Sequence, residues 1–198
     1  CAAYLAEKQA KAATERRRDD ARQRLDAYRA GVFPAYEQAI NAYLARFGAG
    51  FRLTQVSSTN TRAGSACSYS VLVNATAVPL APGATPRPSF KSALSAGDRN
   101  TLALAFFLAS LDRDPRRARK VVVVDDPMTS LDEHRSLTTI QEVRRLVSEV
   151  AQVIVLSHSK PFLCPLWQDR GAAACAAIRI TRDAVGSTLA PWDVSSDC

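Results

Sequence analysis

Hydrophobic positions are spread unevenly along the chain, and the unevenness marks its elements. Residues 2–30 carry Tyr4, Leu5, Leu25 and Tyr28 as their only large apolar side chains, set among Ala, Arg, Lys, Glu and Gln with neither Gly nor Pro. That composition favours a helix, but one too polar to bury a face alone, as in a coiled-coil arm. Gly31-Val32-Phe33-Pro34 is expected to break it, with Pro34 opening a second helix in its first turn. There Tyr36, Ile40, Tyr43, Leu44 and Phe47 recur at helical spacing until Gly48.

The period then shortens to that of a strand. Phe51, Leu53, Gln55 and Ser57 alternate with Arg52, Thr54 and Val56, and Tyr69, Val71 and Val73 alternate with Ser70, Leu72 and Asn74. The pattern predicts strands over 51–57 and 67–78, joined as a β-hairpin by the turn-rich 58–66. Pro79, Pro82, Gly83, Pro86 and Pro88 mark 79–88 as a loop. Beyond it the chain alternates: helix 95–111, strand 121–125, helix 131–149, strand 153–156, and a last strand over 176–181. The two central strands are expected to be buried on both faces, which gives an α/β fold with a parallel sheet flanked by helices. The division expected is a helical arm over 1–48, broken at 31–34, and a lobe over 49–198.

Composition adds limits. The net charge of +7 and pI near 9.5 permit an anionic partner such as nucleic acid, although an Arg-rich solvated surface accounts for them equally. Arg16, Arg17, Arg18, Arg22 and Arg24 interleave with Asp19, Asp20 and Asp26, as on a solvated coil face. The cysteines Cys1, Cys67, Cys164, Cys175 and Cys198 are odd in number and lack CxxC spacing. They read as reduced thiols of a cytoplasmic protein, neither a disulfide framework nor a zinc site. No apolar run approaches the roughly 18 residues of a membrane span, so no membrane partner is expected. The chain opens at Cys1 in what reads as mid-helix, as a fragment would.

Four segments carry candidate chemistry. In Leu94-Ser95-Ala96-Gly97-Asp98, Ser95 suits an N-cap and Asp98 the acid of a capping box. Such a helix start, built of small residues, also presents free N–H groups and a positive dipole end to phosphate. In Val121-Val122-Val123-Val124-Asp125-Asp126-Pro127, two acids follow a β-branched run, where ligands bind in open α/β sheets. One acid there can hold Mg²⁺, directly or through water, and a second can polarise an attacking water. Thr129-Ser130-Leu131-Asp132 reads as a helix start capped by Ser130 or Thr129. His158 follows the strand 153–156; alone it is an ordinary structural histidine.

The order and spacing of these segments are more informative than any one of them. Ser95 precedes Asp125 by 30 residues, and Asp125 precedes His158 by 33, room each time for one helix and one strand. With LSAGD at 94–98, VVVVDDPMTSLD at 121–132 and VLSHSKPFL at 155–163, the chain resembles the C-terminal lobe of an ABC-type ATPase head. Within that superfamily it is most similar to the SMC/RecF-like branch, in the AAA_13 group of anticodon-nuclease-type defence ATPases. The resemblance covers 90–163 in detail. It implies that Ser95 and Gly97, with Ala96 and Asp98, contact a γ-phosphate in trans. It implies Asp125 as the Mg²⁺-associated Walker B acid and Asp126 where most members have the catalytic Glu. It further implies Ser130 and Asp132 as the D-loop and His158 as the switch histidine. Ala96 and Asp98 depart from the Gly and Gln common in transporters, and Asp126 is one methylene shorter than Glu.

No GxxxxGK[ST] loop occurs in the sequence. The resemblance therefore implies a separate N-terminal Walker A lobe, with 2–30 as the returning coil. ATP and Mg²⁺ would be bound by the complete head, a second head would close a homodimer around ATP, and nucleic acid or an effector nuclease would be the further partner. Phage defence or DNA repair is the process expected. A transporter ATPase fragment and a catalytically silent scaffold are the alternative readings.

Overall fold

The computed structural model describes residues 2–61, 64–79, 90–128, 132–168 and 175–198, which form two units. The first comprises residues 1–43 and 50–93; the second comprises 44–49 and 94–198.

Helix α1 (Ala2–Arg46) runs unbroken through Gly31 and Pro34, contrary to the expected break. A proline inside a helix removes one N–H bond and crowds the carbonyl four residues back, which costs about 3 kcal/mol or more. Good helix formers upstream and anchored residues downstream outweigh that cost here. Tyr4, Leu5 and Tyr28 are exposed, whereas Ile40 and Tyr43 are buried.

The first unit continues as an antiparallel sheet of β1 (Phe51–Thr61), β2 (Gly64–Val73) and β3 (Thr76–Pro79), in that order. Asn41 acts on β1 as a neighbouring strand would: its amide donates to the Leu53 carbonyl at 2.8 Å and its oxygen accepts the Leu53 N–H at 2.7 Å. Pairing runs from Phe51↔Val73 with a shift between Thr54 and Ser57, where Gln55 adopts φ +57°. The backbone of 58–61 and 64–66 is strand rather than the expected loop. The expected strand 67–78 is two strands, because Asn74 and Ala75 turn the chain at φ +46° and +63°. A two-residue turn with both φ positive matches the twist of a hairpin, and the missing glycine hid it in the sequence. The expected loop 79–88 lies outside the described residues after Pro79. A short helix, α2 (Phe90–Ala93), closes the unit.

In the second unit, α3 (Ala96–Asp112) buries Thr101, Leu102, Ala105, Leu108, Ala109 and Leu111. Strands β4 (Val121–Asp125) and β5 (Gln152–Leu156) pair in parallel, connected by α4 (Glu133–Glu149). One face of this pair is covered: Ile140, Val143 and Phe162 form a core against Val153, Val155, Leu163, Leu166 and Met128. The other face is open, contrary to the expectation of strands buried on both sides. Val121 and Val123 are each 54% exposed, and Ile154 and Leu156 are 38% and 45% exposed. The valine run signals a strand made for burial, but the described residues cover it on one side only.

Glu142 of α4 is buried and paired with Arg46, from the last turn of α1, and with Arg145. Arg145 also reaches Asp112 at 3.0 Å and Glu149 at 2.9 Å. Buried charges persist when paired in this way. Helix α5 (Lys160–Gln168) follows β5. The expected strand 176–181 is β6 (Ile178–Arg182), and it pairs with an additional strand, β7 (Ser187–Pro191). The chain ends in α6 (Val194–Asp197), with Val194 buried.

Cys164 and Cys198 are joined in a disulfide with Cα atoms 5.6 Å apart, which corrects the reading of reduced thiols. The bridge depends on the tail returning to α5 and has no local spacing signature. No helix among the described residues is long and apolar enough to cross a membrane.

Candidate functional site

The parallel register of β4 and β5 places Asp125 opposite Leu156 at the carboxyl ends of both strands. Asp126 then leaves the strand with φ +41°, while its N–H still donates to the Leu156 carbonyl at 2.8 Å. Asp and Asn tolerate this left-handed conformation better than other non-glycine residues. The turn directs the Asp126 carboxylate toward the segment after β5. Ser157 Oγ donates to Asp126 Oδ1 at 3.2 Å, and His158 Nδ1 lies 3.2 Å from the same oxygen. Ser157 is itself fixed by the Ser159 N–H at 3.1 Å. The His158 side chain is 85% exposed, so its ring meets solvent or an incoming ligand. Asp125 is exposed as well.

An open cleft of about 470 Å³ ends at this acid pair, between α3 and β4. Asn100, Leu104 and Phe107 line one side, and Val123 through Pro127 the other.

A second group gathers at the start of α3. Ser95 is the N-cap, and its hydroxyl accepts the Asp98 N–H at 3.1 Å. Asp98 completes the capping box: its Oδ2 accepts from Ser95 N–H at 3.2 Å and from Ser95 Oγ at 2.7 Å. Arg99 holds the Leu94 carbonyl at 2.7 Å. Ala96 is exposed and Gly97 buried. Asp98 Oδ1 accepts from Arg135, which also pairs with Asp132. Burial raises the Asp98 pKa, but the hydrogen bonds from Ser95 and Arg135 and the Arg135 charge outweigh it, leaving the carboxyl below its ordinary value.

Asp132 is the N-cap of α4, accepting the Arg135 N–H at 2.9 Å. This corrects the expectation of a cap at Ser130 or Thr129. Asp132 takes the position because its own backbone is extended while Glu133 begins the helix. Ser130 lies outside the described residues. The structure thus brings Asp126 and His158 together, Asp125 beside them, and Ser95, Asp98 and Asp132 into a second cluster. Sequence reasoning misses Ser157 and Arg135. The only signals are a serine beside the histidine and an arginine three residues after an N-capping aspartate.

Residues 85–174 match the family model AAA_13, described as an AAA domain. Solved structures match much more of the chain. A chain from work on ATP-driven dimerization and DNA stimulated activation of SMC ATPases aligns with a TM-score of 0.56 at 14% identity, covering 87% of this chain and 91% of that one. The fold is thus similar to that of the SMC ATPase structures. The Smc head domain with a coiled coil and joint from Pyrococcus yayanosii aligns with a TM-score of 0.58 at 13% identity, covering 89% of this chain and 30% of that one. An SmcHead bound to the C-winged helix domain of ScpA gives 0.52 at 14% identity, with 84% and 45% covered. At such identities the likeness is one of fold, and this lobe spans less than half of either Smc chain. Comparison with curated proteins finds no match.

No group of three or more His, Cys, Asp or Glu able to hold a metal occurs among the described residues. Asp125 and Asp126 offer carboxylate oxygens at one strand end, which suits an ion that keeps waters and takes its remaining ligands from substrate phosphates.

Proposed function

We propose that this chain is the C-terminal half of an ABC-type ATPase head that dimerises around ATP and drives a nucleic-acid-directed process such as phage defence or DNA repair. Residues 1–48 supply the arm and 49–198 the lobe. The observation that carries this reading is the pairing of Asp126 with His158 at the carboxyl ends of two parallel strands. That arrangement suits a carboxylate that takes a proton from water and a histidine that meets the γ-phosphate. Bound Mg²⁺ would neutralise phosphate charge, and Asp125, with the Asp126 carboxylate beside it, is the residue to hold it.

Ser95 and Gly97, with Ala96 and Asp98, present the start of α3 to the γ-phosphate of the nucleotide on a second head. Asp132, with Ser130, crosses the same interface. The Walker A lobe of the same head covers the open face of β4 and β5. Support for nucleic acid as the target is the net charge of +7 and, among proteins of this fold, the DNA-stimulated activation described for SMC ATPases.

The test is ATP turnover by the full-length protein. Asp126→Asn is expected to lower it by about 10²–10⁴-fold, the range of a general base. Equal rates in the two proteins would remove Asp126 as the base.

A further inference from the structure

Arg135 lies in the first turn of α4, with its side chain 13% exposed. Its guanidinium donates to Asp98 Oδ1 at 2.8 Å, and its Nε lies 3.4 Å from Asp132 Oδ2. Two carboxylates from two different helix starts therefore share one cation. The chain of contacts continues through Asp98 Oδ2 to the hydroxyl and the N–H of Ser95.

Neither helix start needs this guanidinium. The capping box of α3 is complete between Ser95 and Asp98. The cap of α4 uses the backbone N–H of residue 135, which any residue except proline supplies. Among the described residues, what the Arg135 side chain adds is a link between the two starts, across 37 positions of sequence. Its planar fork is well shaped for such a link, because separate N–H groups hold separate carboxylates at fixed angles, which an ammonium cannot do.

We infer that Arg135 is a positioning residue that locks the start of α3, Ser95 to Asp98, and Asp132 into one rigid unit, so that both engage a partner head together. The inference rests on the proposed head dimer, in which both elements act in trans. Arg135 acts through Asp98 and Asp132, away from the reacting atoms. Its loss should impair the ATP site of the opposite subunit and spare the site of its own.

Mixed dimers of the full-length protein, with subunits distinguished by tags, separate these cases. With Arg135→Ala in one subunit and Asp126→Asn in the other, the competent site takes Ser95 and Asp132 from the subunit that retains Arg135. ATP dependence should match that of a wild-type and Asp126→Asn dimer. With both substitutions in one subunit, the competent site takes Ser95 and Asp132 from the altered subunit. The ATP concentration for half-maximal turnover should then rise at least about tenfold, as for the loss of a charge-assisted hydrogen bond. Arg135→Lys, which keeps the charge, should recover part of this loss, and it keeps the test open if the alanine variant folds poorly in a thermal melt.

Equal behaviour of the two configurations would overturn the inference, because a structural role within its own head predicts equality or the reverse order. Failure of ATP to make the two tagged subunits co-purify would overturn the head-dimer reading, and the inference with it.

Discussion

The His158 imidazole nitrogen Nδ1 and the Asp126 carboxylate oxygen Oδ1 lie 3.2 Å apart, although they come from segments after different strands. The contact depends on the left-handed backbone of Asp126 at φ +41°. This accounts for a short acid at position 126, since Asp occupies that conformation at lower cost than Glu. Asp126→Glu is therefore expected to destabilise the chain by about 1 kcal/mol, whereas Asp126→Asn, equally at home at positive φ, should leave stability within about 0.5 kcal/mol. Denaturant midpoints of the two variants check this. A Glu variant as stable as wild type would show that the backbone does not select the residue.

Val123 and Ile154 are register partners on the open face of β4 and β5, 54% and 38% exposed. Exposed valine and isoleucine in parallel strands are unusual, because such sheets are ordinarily covered on both sides. If the Walker A lobe covers them, Val123→Glu should abolish co-purification of the two lobes, since it buries an unpaired charge at the junction. The same change should barely shift the melting temperature of this chain alone, where position 123 faces water. Retained co-purification would place the Walker A lobe elsewhere.

The β4–α4–β5 crossover is legible in the sequence because Val121 to Val124 and Val153 to Leu156 form apolar runs separated by one helix length. The candidate residues are legible because acids and a histidine sit where those runs stop. The continuity of α1 through Pro34 is not, because local propensity carries nothing of the burial of Ile40 and Tyr43 that holds the helix downstream. The Asn74-Ala75 turn lacks glycine, and the Cys164–Cys198 bridge joins positions with no local pattern. Arg135 escapes notice because its role depends on Asp98, far off in sequence and near only after folding.

The disulfide fastens the tail to α5 in company with two other contacts. Asp197 pairs with Lys160 at 3.0 Å and accepts from the Trp192 indole at 2.6 Å. The bridge closes a segment with a sequence separation of 34. Cross-linking a loop of that length restricts the unfolded chain and typically stabilises by roughly 2–4 kcal/mol. Cys198→Ser, or a dithiol reductant acting on the wild type, should lower the melting temperature, and the reductant should leave the Cys198→Ser variant unchanged. Identical melting of oxidised and reduced wild type would show that the bridge adds no stability.

Asp98 provides the pH test of the Ser95–Asp98–Arg135 cluster. Its carboxyl is held below the ordinary value: burial opposes this, but the Ser95 and Arg135 hydrogen bonds and the Arg135 charge prevail. A depressed folded pKa means that the unfolded chain binds the proton more readily. The associated stability is therefore complete above the unfolded value of about 3.9, and it disappears as pH falls from there through the folded value. Asp98→Asn removes the titration while keeping a side chain of similar shape. The gap in urea midpoint between wild type and Asp98→Asn should hold constant from neutral pH down to about pH 5 and then narrow as pH drops below about 4. A gap that persists unchanged into that acid range would show that Asp98 stabilises by shape alone and that its charge on Arg135 contributes nothing.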